Sequence, residues 1–206
     1  MRLEIDPKNP DQRSVDQAVA ILQRGGIIVF PTDTGYAIGC DLFQKKAISR
    51  IFQIKNRNKK KPLTFICSNF GEFSQFAIVS NSVYRDMRRL LPGSYTFVLP
   101  STKMVPKLLV SSRSSVGIRI PDHAVPIALA SSLQHPIIGA SCSIEEEDGM
   151  TDPKQIEKKM GKLVDLILDA GVISSEPSSV IDYSLPEPVI VREGKGDLSS
   201  FTQKKK

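Results

Sequence analysis

The chain has 206 residues, 40% hydrophobic and 24% charged, enough for one globular domain with a buried core. It contains no 18-residue apolar stretch to span a membrane, and its polar N-terminus "MRLEIDPKNPDQRS" lacks the apolar core of a signal peptide. The net charge of +6 is local: setting aside Lys55, Arg57, Lys59, Lys60, Lys61 and Lys204 to Lys206 leaves 20 basic against 22 acidic residues, which fits one anion-binding locus better than a protein-wide basic surface.

In chain order, Val15 to Gln23 reads as a helix, apolar at 15, 18, 19 and 22, ended by Gly25-Gly26. Ile27 to Phe30 reads as an apolar strand that Pro31 closes. Asp41 is expected to cap a helix reaching Ile54, with Ala47, Ile48, Ile51 and Phe52 on one face. After a basic loop, residues 62–67 form a buried strand, and 70–76 and 82–91 are helical, the second broken by "LLPGSY".

Residues 95–99 and 115–120 are strands, 124–133 a helix and 136–141 a strand. Asp152 opens a charged helix over 153–161, "VDLILD" is a strand, and "SSVIDY" and "PVIVRE" supply two more. Strands and helices mixed at irregular spacing predict a single α/β domain with a mixed sheet, without repeat or linker. Cys40, Cys67 and Cys142 are few, odd in number and set among apolar or small residues, as reduced buried thiols of a cytoplasmic protein are.

Neither a P-loop nor a G-x-G-x-x-G follows a strand, no nucleophile elbow is present, and His123 and His135 lack metal-ligand spacing. What remains is a set of polar residues at strand ends. Lys55-x-Arg57 could converge on a polyanion, with Arg as a fork and Lys as a point charge, or form a solvated basic loop. Arg119, inside an apolar strand, either snorkels to the surface or binds an anion. Ser141 and Ser143, Ser178 and Ser179, and Arg192 before "EGKG" are weaker signals of the same kind, and the acidic run Glu145 to Asp148 reads as a solvated loop.

Taken in order, PTDTGY, KxR with PL, GIRIP, a small-residue strand ending in serines, SSVID and VREG resemble the YrdC-like family, which includes the threonylcarbamoyladenylate synthases. The resemblance runs from about Ala18 to Phe201 and implies a YrdC-like domain, a twisted mixed sheet with flanking helices around a concave basic cleft. One domain is expected over 1–206, with its core at about 14–201 and a disordered basic tail at 202–206. The implied reaction condenses L-threonine, bicarbonate and ATP into threonylcarbamoyl-AMP and pyrophosphate, on the way to threonylcarbamoyladenosine in tRNA.

The same resemblance gives roles. Lys55, Arg57 and Ser141 are the expected catalytic residues, with Lys55 and Arg57 on the ATP phosphates and Mg²⁺ carried by those phosphates rather than by side chains. Thr32, Thr34 and Tyr36 would line the threonine pocket, Arg119 would hold its carboxylate, and Arg192 would meet the nucleotide. Lys61, Ser115, Ser143 and Ser178 complete the expected substrate and nucleotide contacts.

Three positions depart from the synthase pattern: Ser143 stands in place of asparagine, Ile66 in place of a histidine, and Gly35 in place of a larger residue. With "TGYAIGCD" and "PGSYTFVL", they look more like the YciO-type branch than the housekeeping synthase. Two alternatives therefore stand beside synthesis: removal of the modification from threonylcarbamoylated tRNA, and non-catalytic binding of tRNA or double-stranded RNA. No membrane partner is expected.

Overall fold

The computed structural model describes residues 1–56, 63–110, 113–143 and 150–202. Asp11 opens the first helix, α1 (Gln12–Gln23), by accepting a bond from the Ser14 N–H at 2.9 Å. A strand that the polar N-terminus did not announce, β1 (Arg2–Glu4), precedes it. The chain then makes a hairpin, β2 (Ile27–Thr32) and β3 (Gly35–Asp41), and continues through α2 (Lys45–Ile54), β4 (Thr64–Ile66), α3 (Phe70–Phe73) and α4 (Asn81–Leu90). Next come β5 (Tyr95–Pro100), β6 (Ser115–Arg119), α5 (Ala124–Leu133), β7 (Ile137–Ser141), α6 (Pro153–Met160) and β8 (Leu166–Asp169). The hairpin β9 (Ser179–Asp182) and β10 (Val189–Arg192) and a short α7 (Ser199–Thr202) end the described chain.

The strands form one mixed ten-stranded sheet, in the order β1-β8-β2-β3-β7-β4-β6-β5-β9-β10. An α/β domain with a mixed sheet and flanking helices is therefore what the sequence folds into. Strand alternation divides its apolar residues between two faces. Ile27, Val29, Ile38, Phe65, Phe97, Val116 and Ile118 join one cluster with α2, α4 and α6. Ile28, Phe30, Ile66, Ile137, Leu166 and Leu168 join the other, under α1 and α5.

Three expectations are corrected. Pro31 does not close β2; it pairs with Tyr36 inside the hairpin. Tyr36 turns its carbonyl to the Cys142 N–H at 2.8 Å, and pairing of β2 with β8 stops at Val29, so no ladder needs an N–H from Pro31. Residues 35–41 form a strand that the sequence did not announce. All seven are buried, so no polar alternation marks them, and at Gly39 a side chain would meet Ile137 and Phe30 at 2.9 Å.

Finally, Asp41 does not cap a helix. Its carboxylate accepts from the Phe43 N–H at 2.7 Å in the turn before α2, whose own cap position is Gln44. The helix expected over 70–76 also shrinks to the single turn of α3.

Candidate functional site

The second face of the sheet is apolar only in part. Its apolar cluster takes no residue from β5, β6 or β9, and there the face turns polar or small. Alternation opposite Val116, Ile118, Phe97 and Leu99 puts Ser115, Gly117, Arg119, Thr96 and Val98 on that stretch of the face, where Ser115, Gly117 and Thr96 are buried. Thr64 lies opposite Gly117 in β4, and a Cβ on Gly117 would meet the side chains of Thr64 and Thr96 at 3.5 Å.

Arg119 is the charge on this floor. Its Nη2 donates to Oδ1 of Asp33 at 2.5 Å, and both side chains are nearly buried, at 11% and 8% exposure. Oδ2 of Asp33 accepts from the Ser94 hydroxyl at 2.8 Å, and the Asp33 carbonyl accepts from Lys195 Nζ at 2.6 Å. Nε of Arg119 is buried and has no partner among the described residues. Burial pulls the guanidinium below its ordinary value, Asp33 opposes that pull, and nearby Arg192 adds to it. His123 is likewise lowered by burial, against the field of Asp33.

Asp33 sits in the turn between β2 and β3, three strands from β6 in the sheet order. On a flat sheet that is about 14 Å, so side-chain contact requires a curled sheet with this face inside the curl. The hairpin turn thus folds across the polar stretch of the face to reach Arg119.

Beside Arg119 lies a second polar group. Arg192 Nε donates to the Ser178 carbonyl at 2.9 Å and its Nη2 to the Ser178 hydroxyl at 3.2 Å, while Thr96 and Ser178 share a hydroxyl bond at 2.8 Å. The turn after Arg192 is fixed by the Gly194 N–H on the Ser179 hydroxyl at 3.0 Å. This turn also delivers Lys195 to the hairpin.

In the hairpin, the Thr32 hydroxyl donates to the Gly35 carbonyl at 2.7 Å and accepts from the Thr34 N–H at 3.2 Å, with the two threonine hydroxyls 3.3 Å apart. Gly35 adopts φ +111°, and a Cβ there would meet Ser175 at 3.1 to 3.3 Å, so the larger residue of the synthase pattern has no room. The Tyr36 hydroxyl is spent on backbone: it donates to the Gly171 carbonyl at 2.7 Å and accepts from the Ala170 N–H at 3.0 Å. Burial pushes this phenol up to about 12.

Lys55 is buried at the end of α2. Its ammonium donates to the carbonyls of Ser141 and Ser143, at 2.8 and 2.5 Å, and to the Ser143 hydroxyl at 2.7 Å. Lys55, Ser141 and Ser143 therefore come together as one unit. Ser115 is buried on β6 and Ile66 packs in the core, where a side chain on Gly139 would touch it at 3.0 Å. Arg57, Lys61, the acidic run 145–148 and residues 203–206 lie outside the described residues.

Asp33, Ser94 and Lys195 were not among the residues singled out from sequence as contacts. A faint signal existed for Asp33, a carboxylate at a strand end in a chain with an arginine inside an apolar strand. Ser94 carried none, because a serine in "PGSY" reads as turn chemistry.

An acidic depression lined by Glu4, Asp6, Asp169 and Gly171 lies at the other edge, where Asp169 faces Arg2 at 3.6 Å; its charge suits no anion. The three cysteines are free and buried, burial raising each thiol above its ordinary value. Among the described residues no helix is long and apolar enough to cross a membrane.

Known proteins share this architecture. The family model for Sua5/YciO/YrdC, described as Telomere recombination, matches residues 20–194. A Haemophilus influenzae protein is 41% identical over 200 residues, 96% of this chain and 97% of its own. YciO of Escherichia coli is 40% identical over 96% of this chain and 97% of its own, and its crystal structure superposes with a TM-score of 0.94 over 98% of both chains.

A threonylcarbamoyl-AMP synthase of Pyrococcus abyssi is 26% identical over 86% of this chain, which spans only 53% of that protein. P. abyssi Sua5, in a crystal structure complexed with L-threonine, shares the fold at a TM-score of 0.91 and 24% identity over 98% of this chain and 60% of its own. Matched along most of its length by the family model and along nearly all of it by YciO, the chain belongs to the Sua5/YciO/YrdC family.

Proposed function

We propose that this chain is a threonylcarbamoyl-AMP synthase-type enzyme, which joins L-threonine, bicarbonate and ATP into threonylcarbamoyl-AMP and pyrophosphate for tRNA modification. The observation that carries this reading is Arg119, a nearly buried guanidinium on the polar stretch of the sheet, with an Nε donor unmatched among the described residues. A carboxylate such as that of threonine supplies the missing oxygen, and burial makes the charge-assisted bond strong. The hydroxyls of Thr32 and Thr34, held 3.3 Å apart, would align the amine or hydroxyl end.

Arg192 and Ser178 would meet the nucleotide, and Lys55 with Ser141, Ser143, Arg57 and Lys61 would face its phosphates. Ser115, on the same face as Arg119, would complete the contacts. The chain's task is to orient the reactants and stabilise charge at the α-phosphate as pyrophosphate leaves, so no covalent nucleophile is needed. Among the described residues no three His, Cys, Asp or Glu side chains gather as metal ligands would, and Asp33 is already committed to Arg119 and Ser94. Mg²⁺ would enter on the phosphates of ATP, where it neutralises their charge.

Pyrophosphate release that requires both threonine and bicarbonate tests the reading. Release is expected to fall about 10²-fold or more in Arg119→Gln. Release that ignores threonine overturns it.

One observation favours a second reaction in the same cleft. Ser143, where the synthase pattern has asparagine, gives its hydroxyl and carbonyl to Lys55 rather than turning an amide to a substrate. Under this reading the chain acts on threonylcarbamoylated tRNA and removes the modification. Nucleoside analysis of modified tRNA after incubation separates the two: loss of the modified nucleoside without ATP supports removal.

A further inference from the structure

We propose that Ser94 is a positioning residue that keeps the Nε edge of Arg119 open for an incoming carboxylate, by holding Asp33 to a single-oxygen pairing. The inference rests on the reading of Arg119 as the carboxylate anchor and adds the residue that makes the anchor available.

An arginine facing a carboxylate in a buried site ordinarily forks onto both oxygens, with two parallel N–H···O bonds. Here only half of the fork forms. Nη2 of Arg119 reaches Oδ1 of Asp33, while Oδ2 turns to the Ser94 hydroxyl at 2.8 Å and Nε is left buried without an acceptor among the described residues. Nε and a terminal nitrogen share one edge of the guanidinium, so an Asp33 carboxylate free to rotate would close both. Ser94 prevents that rotation.

Ser94 can do so because its own position is fixed. The preceding Gly93 N–H donates to the Ile120 carbonyl at 2.9 Å, and the Ser94 carbonyl accepts from the Ser179 N–H at 3.0 Å. These bonds tie the residue to the strands on either side of β5. The backbone of Asp33 is held as well, by Lys195 Nζ on its carbonyl. With both main chains anchored, the serine hydroxyl decides where Oδ2 points. A buried donor without a partner is rare in a folded protein because it forfeits its hydration. The open Nε therefore marks where a ligand oxygen belongs, and Ser94 is what leaves it open.

The test uses Ser94→Ala and Ser94→Thr. In Ser94→Ala, Asp33 swings onto the fork, and L-threonine affinity measured by calorimetry falls about tenfold, which is about 1.4 kcal/mol. Thermal stability stays level or rises, because a complete ion pair replaces a partial one, whereas a merely structural serine would lose stability. Ser94→Thr keeps the hydroxyl and restores the affinity.

A second measurement needs no ligand. The Arg119 Nε–H resonance, assigned by its absence in Arg119→Lys, shifts downfield in Ser94→Ala as Asp33 becomes its acceptor. An unmoved resonance overturns the proposal whatever the protein binds. Failure of the wild type to bind L-threonine would count against the proposed function instead, with the resonance still deciding the role of Ser94.

Discussion

Lys55 and Arg119 are both buried cations, and they differ in what is left over. The three N–H donors of Lys55 meet three oxygens of Ser141 and Ser143, at 2.5 to 2.8 Å. Arg119 meets one oxygen of Asp33 and keeps a buried Nε without a partner among the described residues. A cation whose donors are matched within the protein acts on a ligand by its charge alone; one with an unmatched donor also has a bond to give. The difference cannot be read from residue type, because both are basic residues at strand or helix ends. It is read from the count of acceptors around each.

The contrast is broken most directly at Arg119. Arg119→Met leaves Asp33 nearly buried without its counter-charge, and removing one partner of such a pair costs about 3–5 kcal/mol. Urea unfolding should show that loss, and calorimetry should show no L-threonine binding. Arg119→Met with Asp33→Asn should regain most of the stability but none of the binding.

Lys55→Met is the counterpart. It strips three acceptors of a charged donor, and bonds to charged groups contribute about 1.5–3 kcal/mol, so stability falls by that order. L-threonine affinity should change only a few-fold, while ATP affinity drops with the loss of charge near Ser141. Equal loss of threonine binding in both variants would erase the distinction.

The unequal legibility of these sites has a physical basis. Helices α1 and α2 announced themselves through apolar spacing, and β6 through an apolar run with one arginine inside it. The strand β3 did not, because burial on both faces removes alternation. Pro31 misled for a related reason: whether proline ends a strand depends on which neighbour would have used its N–H.

At the site, Arg119 stood out by its place in an apolar strand, and Lys55 by its cluster of charge. Their opposite accounts of partners were hidden, since Asp33 is 86 residues from Arg119 and 61 from Ser94. Pairings at that separation are made by the curl of the sheet and leave no local mark.

The hairpin that carries Asp33 offers a smaller test. Gly35→Ala places a side chain at φ +111° against Ser175, and backbone held in a region that side chains disfavour costs about 1–3 kcal/mol. The turn should shift, loosening Asp33 on Arg119, so threonine affinity falls with stability. Adding Ser175→Gly relieves the contact but not the φ, so recovery should be partial.

The smallest effect is expected one residue on, at Tyr36. Its hydroxyl makes two backbone bonds to Ala170 and Gly171, so Tyr36→Phe should cost about 1 kcal/mol near neutral pH. Its pH dependence sharpens the comparison of saturated with open groups. Burial raises this phenol from 10 to about 12, so the folded state favours the protonated, neutral form. That contribution is complete below pH 10 and is lost as pH rises toward 12.

Wild type should therefore lose stability over that window more steeply than Tyr36→Phe, in which the other alkaline groups titrate unchanged. The two urea midpoints should converge as the wild-type advantage disappears. Parallel curves across the window would mean that the phenol is not held neutral by its burial, and that the hairpin carrying Asp33 is more open to water than its packing implies.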